Sequence, residues 1–277
     1  MGTSASRKIS AALLFPVLSI LAVFFVLPIL FVVGSSMTPD PGGGLSGLEA
    51  YRKLIVDPYY LMVFLQTFLF SSGITVCTLV FGYPIASFIA RTTAPERSLV
   101  IFLVIAPLLI SMVVKAYGWQ LILGNQGIVN TMLTALGFAP VRLIYNWTGV
   151  VIATVHVLLP FAVISIAGVL SNLDSSIEES AAVLGASPVR VFFLVTIPLA
   201  INGLITAATF VFLLALGSFV TILMLGGNGT MVVPLLIYQQ VTITYNQAFA
   251  ASMATVLMAI TLVLMFAQFR LLRRGDA

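Results

Sequence analysis

The chain has 277 residues, 61% of them hydrophobic and only 7% charged, with a net charge of +4. A soluble domain carries about a quarter charged residues, so this surface cannot face water over most of its area, and lipid is the solvent that suits it. The basic residues sit in short segments between apolar runs, which excludes the continuous basic face of a nucleic-acid-binding protein.

The first apolar run covers residues 11–33, behind Arg7 and Lys8. A signal-peptide core is ~7–15 residues long, whereas this run is longer and no small-x-small cleavage site closes it. It is therefore read as a first membrane helix. A polar stretch follows over residues 35–60, with Pro39, Pro41 and the run Gly42-Gly43-Gly44. A phosphate-cradling loop needs Gly-Lys-Ser/Thr and a helix behind it, but here Leu45-Ser46-Gly47 follows, which predicts a flexible external loop. Residues 1–60 are thus expected to form an N-terminal span with an external loop, and residues 61–277 a five-helix membrane domain.

The second run covers residues 62–90 and includes the single Cys77, which cannot form an internal disulfide. A turn with Arg91, Pro95, Glu96 and Arg97 leads to a third run over 99–119. Within the semi-polar stretch 124–147, the spacing of Ile128, Met132 and Leu136 predicts a short interfacial helix. A fourth run covers 150–170, the most polar internal loop 171–190, and a fifth run 199–225. Gly226-Gly227-Asn228-Gly229 turns the chain, and a mixed segment leads to a sixth run over 248–271. The reading is an all-α membrane protein with about six transmembrane helices. Both termini then share a side with Arg7, Lys8, Arg91, Arg97, Arg190, Arg270, Arg273 and Arg274, against Arg52, Lys53, Lys115 and Arg142 opposite. That excess assigns the termini to the cytoplasm.

Residues 171–198 carry strong local signals. Ser175-Ser176-Ile177-Glu178 fits a capping box, with Ser175 as N-cap and Glu178 reaching back. Glu178 and Glu179 fall in a first turn, where the helix dipole favours anions. Ala181 and Ala182 leave a thin face that another surface can approach. Gly185 suits the left-handed position just past a helix end. Ser187-Pro188 reads as N-cap and first residue of a second helix, expected over 189–196 and stopping before Pro198. The prediction is two short helices joined at Gly185 on the cytoplasmic face.

The run Glu179-Ser180-Ala181-Ala182-Val183-Leu184-Gly185-Ala186-Ser187, with Thr196-Ile197-Pro198-Leu199 downstream, resembles the EAA loop of permease subunits in binding-protein-dependent ABC importers. Ser180 replaces the first Ala of that pattern and Ile197 its Leu. Gly82-Tyr83-Pro84, Gly127-Ile128-Val129-Asn130 and Gly217-Ser218-Phe219-Val220 are similar to the polyamine and opine group. The resemblance implies a type I ABC importer permease fold in the bacterial inner membrane. It implies that Glu178, Glu179, Ser180, Ala181, Ala182, Gly185, Ala186, Ser187, Pro188 and Pro198 form a coupling loop docking on an ATPase. It further implies two ATPase subunits, a second permease in a heterodimer, an external solute-binding protein, and a polyamine- or opine-like solute. Iron, thiamine and phosphonates use related permeases. No cofactor or metal is expected on this chain, and ATP is hydrolysed by the partner.

The residues support a driven, non-catalytic subunit independently. A chain without a phosphate-binding loop cannot hydrolyse ATP and must take work through a contact. The spans hold no Asp or Glu, which argues against an ion-coupled, self-sufficient transporter. His156, the only histidine, is either a functional group in the fourth span or a neutral ring bonded between helices. Lys115, beside Tyr117 and Trp119, either faces the pathway mouth or snorkels at the interface. Ser218 and Thr221 either line a pathway or join helices.

Overall fold

The structure is a computed structural model and describes residues 3–39, 44–93 and 95–275. The Gly42-Gly43 part of the predicted external loop and the side chains of Arg7, Lys8, Arg273 and Arg274 lie outside this description. Among the described residues every regular element is helical. In hydrocarbon each backbone N–H and C=O must find a partner within the chain, and helices provide one locally.

In chain order the α-helices are α1 (Thr3–Met37), α2 (Gly47–Val56), α3 (Pro58–Arg91), α4 (Glu96–Ile105), α5 (Met112–Leu123), α6 (Ile128–Ala135) and α7 (Trp147–Ser171). They continue as α8 (Ser175–Val183), α9 (Pro188–Val191), α10 (Ile197–Leu216), α11 (Val220–Leu225), α12 (Val233–Thr242) and α13 (Gln247–Gly275). Five stretches are long and apolar enough to cross a membrane: within α1, all of α3, all of α7, Pro188–Leu216, and within α13. A sixth exists if the bent pair Glu96–Leu109 and Met112–Ala135, at 103° to each other, counts as one span.

Two of the expected spans and one expected loop therefore differ in detail. The third run is not one helix. Pro107 lies in a 3₁₀ turn over Ala106–Leu109, and Ile110 and Ser111 are extended (ψ 134° and 144°). Proline withholds an N–H and the tighter turn does not propagate, so the helix breaks there. The fifth span begins earlier and ends earlier than expected. It runs Pro188–Leu216, stops at Gly217, and leaves α11 as a separate short helix. The 35–60 stretch is not simply a loop, since it contains α2 with Ala50 and Leu54 buried. The predicted interfacial helix forms as α6, with Ile128, Met132 and Leu136 exposed.

The chain divides into two compact units. One comprises the chain up to Leu61 together with Leu236–Ile260. In it, Ser36 and Tyr51 share a hydrogen bond of 2.7 Å, and Tyr60 meets Phe249 edge-on at 5.3 Å. Phe24, Phe25 and Phe31 of α1 are at least 70% exposed, so that helix has an apolar surface fit only for lipid or a partner.

The other unit comprises Met62–Leu235 and the chain from Thr261. Its core is centred on α7, where Val150, Ala153, Ala162, Val163 and Ile166 are fully buried. Phe70 packs on Trp147, and Gly82 lies against Ala162 and Val163, so α3 and α7 run alongside in the same direction. Their C-terminal ends therefore arrive together, next to residues 171–198. Span hydroxyls mostly bond their own helix: Thr75 donates to Ser71 O at 2.7 Å and Thr78 to Ile74 O at 2.6 Å. This consumes donors that lipid cannot satisfy.

Candidate functional site

The loop after α7 starts with a cap that differs from the expected one. Asp174, not Ser175, is the N-cap of α8: its backbone is extended and its carboxylate accepts from Ser176 N–H at 2.9 Å. Ser175 is the first helical residue. Aspartate caps as well as serine does, and its charge is also favoured by the helix dipole. The Ser176 N–H holds the Asp174 carboxyl below its ordinary range.

Glu178 does not reach back to the cap, because a stronger partner claims it. Its Oε1 accepts from Arg91 Nη2 at 2.9 Å and from the Thr196 hydroxyl at 2.7 Å. Arg91 Nη1 also donates to Leu173 O, just past α7, at 3.3 Å. A charged hydrogen bond is about twice as strong as a neutral one, so the ion pair prevails over the capping contact.

The helix ends where the glycine predicts. Gly185 has φ +88°; its N–H donates to Ala182 O at 2.9 Å, and Ala186 N–H donates to Ala181 O at 3.1 Å. This pair of bonds is a Schellman end, which a left-handed residue permits. Ser187 then caps α9 through the Arg190 N–H, with Pro188 as first residue.

The second helix does not stop before Pro198. A π-turn over Phe192–Thr196 connects α9 directly to α10, and Ile197 N–H reaches back five residues to Phe192 O. Pro198 directly follows the π-turn, where the wider winding already departs from the regular hydrogen-bond ladder. Thr196, the last residue of the π-turn, is 5% exposed and aims its hydroxyl at Glu178.

The base of the loop is thus tied down, while its tip is open. Tyr83, Ser87, Arg91, Glu178 and Thr196 line a cleft of about 380 Å³ with Phe192 on its wall. Tyr83 meets Phe192 edge-on at 4.8 Å. At the tip, Val183 and Leu184 are 87% and 88% exposed. Glu179, Ser180, Ala182, Gly185, Ser187 and Pro188 are also exposed, and Ala181 and Ala186 are half-buried. Two apolar side chains on a capped turn form a surface that a protein groove can cover.

Sequence reasoning missed Val183, Leu184, Arg91 and Thr196 as site residues. The signal for Arg91 was a lone charge closing a long apolar span on the side of the loop. Of the remaining candidates, His156 is half-buried on α7 and its Nδ1 accepts from the Trp119 indole at 3.2 Å. A nitrogen that accepts carries no proton, so this geometry suits a neutral ring. Lys115 is half-buried on α5, one turn from Trp119. Ser218 and Thr221 are 4% and 0% exposed at the break between α10 and α11, their hydroxyls without a partner among the described residues. The structure does not bring these four into the loop cleft.

Comparison with known proteins gives a consistent match. Residues 4–275 match the family described as binding-protein-dependent transport system inner membrane component. The chain is 31% identical over 277 residues to a spermidine/putrescine transport system permease protein, PotB, of Haemophilus influenzae, covering 97% of this chain and 96% of that one. It is 31% identical over 263 residues to PotB of Escherichia coli, covering 92% and 95%. A solved bacterial ABC transporter that imports the acidic polysaccharide alginate contains a chain of the same fold, with a TM-score of 0.76 and 20% identity, covering 98% of this chain and 96% of that one.

Proposed function

Since the chain belongs to the family of binding-protein-dependent transport system inner membrane components, we propose that it carries polyamines through the membrane half of an ATP-driven importer and is driven through residues 175–187. It is a multi-pass inner-membrane permease subunit of an ABC importer. The relatives named for spermidine and putrescine transport cover nearly the whole chain and support the polyamine reading.

The observation that carries the docking site is the contrast within one loop. Val183 and Leu184 are almost fully exposed at its tip, while Glu178 and Thr196 are bonded at its base. An exposed apolar pair on a braced turn presses on a partner groove without yielding. Glu179, Ser180 and Ala182 share the exposed side with them. The partner is an ATPase subunit, two of which close around ATP while this chain remains non-catalytic and binds no cofactor. A second permease, in a heterodimer, completes the path. The loop and both termini face the cytoplasm, a reading supported by the excess of basic residues on that side.

A polycation finds no carboxylate to pair with along most of the chain. Between Arg97 and Asp174, and from Ser180 to Arg274, there is no Asp or Glu. A polycation passing through meets aromatic and hydroxyl groups, so an external binding protein supplies its selectivity.

A cysteine at Leu184 tests the docking. It should crosslink to the ATPase in the assembled transporter, and Leu184→Asp should abolish capture and uptake while membrane insertion is retained. Absence of capture under every nucleotide condition would overturn the reading. In proteoliposomes, ATP-dependent uptake of spermidine should need the ATPase and binding protein. Uptake by this chain alone, without ATP, would make it a self-sufficient carrier.

A further inference from the structure

The chain itself joins the loop to α7 and to the Pro188–Leu216 span, so these two spans follow the loop by covalent connection. Helix α3 is far away in sequence and has no such tie. It packs beside α7, and its polar link to the loop is Arg91, its last residue, which reaches Glu178 across 87 positions. We propose that Arg91, Glu178 and Thr196 are positioning residues forming a latch that makes α3 move with the loop, so that force at the tip reaches three spans instead of two. This rests on the docking reading above.

The geometry is that of a junction. One carboxylate oxygen accepts from α3 through Arg91 and from the π-turn through Thr196, and the same guanidinium holds the Leu173 carbonyl beyond α7. Four segments therefore meet on two side chains. Exposed ion pairs contribute little because water competes and the side chains stay mobile. Here the side chains are only 26% and 22% exposed, and each has a second partner. It is the one ion pair among the described residues.

The π-turn has a role in this junction. One additional residue per turn shifts which side chains face inward. Phe192–Thr196 so wound aims the Thr196 hydroxyl at Glu178 instead of at its own i−4 carbonyl, and Phe192 at Tyr83 of α3. The polar latch and the aromatic contact thus join α3 to the same turn.

The test uses the complete transporter in liposomes, with spin labels at the exposed positions Thr93, past α3, and Ser176, in α8. In the unmodified chain the distance between them should stay narrow and unchanged in every nucleotide state. In Arg91→Met the distribution should broaden, ATPase capture should persist, and the ATP hydrolysed per solute moved should rise about tenfold, and Glu178→Gln should broaden the distribution and lower the coupling equally. Thr196→Val removes one hydroxyl only and should move both readouts the same way, about twofold. Reversing the pair, Arg91→Glu with Glu178→Arg, should restore the narrow distance and part of the coupling.

Unmodified coupling in both single variants, with capture intact, would overturn the latch alone. So would a loss of coupling without any change in the distance, since that is the mark of a static brace. Failure of capture in the unmodified chain would overturn the docking reading and the latch together.

Discussion

The two ends of α7 are held in opposite ways. Before its start, every joint ends on a backbone group. Tyr145, in left-handed backbone at φ 58°, donates its N–H to Leu225 O at 2.8 Å, so the turn before α7 is bonded to the end of α11. Asn130, 2% exposed, donates to Gly124 O and Val141 O and accepts from Val141 N–H, all within 3.0 Å. Thr230, equally buried, accepts from Gly227 N–H at 2.8 Å. Beyond the other end of α7, the central joint is a side-chain cluster of Arg91, Glu178 and Thr196, and the tip is bare. A backbone joint fixes a segment whatever binds nearby, because the amide groups have no other state to adopt. A side-chain joint can transmit a displacement imposed from outside, because it links elements that are otherwise separate. One end is a fixed closure and the other a handle.

This contrast can be broken or sharpened. The largest effect is expected for Gly227→Val: even a Cβ there would collide with Tyr145 O, a backbone atom held by the turn. Little folded protein should accumulate in the membrane, as size-exclusion profiles would record; a normal yield would show that this end yields after all. Asn130→Ala strands buried backbone groups, each worth about 1–3 kcal/mol when left unpaired. Thermal unfolding in detergent should fall accordingly, with uptake per folded molecule retained.

At the other end the balance reverses. Gly185→Val forces a β-branched residue into φ +88°, at about 1–2 kcal/mol. Here the surrounding space is open, so the chain should still insert, but ATPase capture and uptake should disappear. Unchanged uptake would dissociate the Schellman turn from coupling. The smallest effect belongs to Asp174. Its carboxyl is held below the ordinary range by the Ser176 N–H, so its capping is fully present above that range and is lost as the pH falls through the depressed value. Hydrogen exchange in the first turn of α8, corrected for the intrinsic rate, should rise there in the unmodified chain and stay flat in Asp174→Asn. A flat profile in both would remove the cap from the account.

Several features of the site were legible because the forces behind them act within a few residues. Gly185 reads as a left-handed helix end because glycine alone adopts that backbone freely. Ser187-Pro188 reads as a helix start because a hydroxyl and a ring with no N–H suit that position. The loop's resemblance to the EAA pattern rests on the same spacing. The misreadings share a cause as well. Ser175 looked like a cap beside Asp174, and the two have similar capping propensity. Pro198 looked like a stop, but the π-turn placed it where its missing N–H does no harm.

Composition and spacing by themselves determined that the chain lives in lipid, that it is helical, and that a short helix ending at Gly185 follows the fourth span, since hydropathy and backbone preference are properties of neighbouring residues. Only the tertiary structure decided that Glu178 bonds Arg91 rather than its own cap, that the third apolar run breaks into a pair of helices at 103°, and that Val183 and Leu184 remain bare. Those outcomes depend on which groups distant in the chain are brought within hydrogen-bonding or van der Waals reach, and local preference carries no record of that.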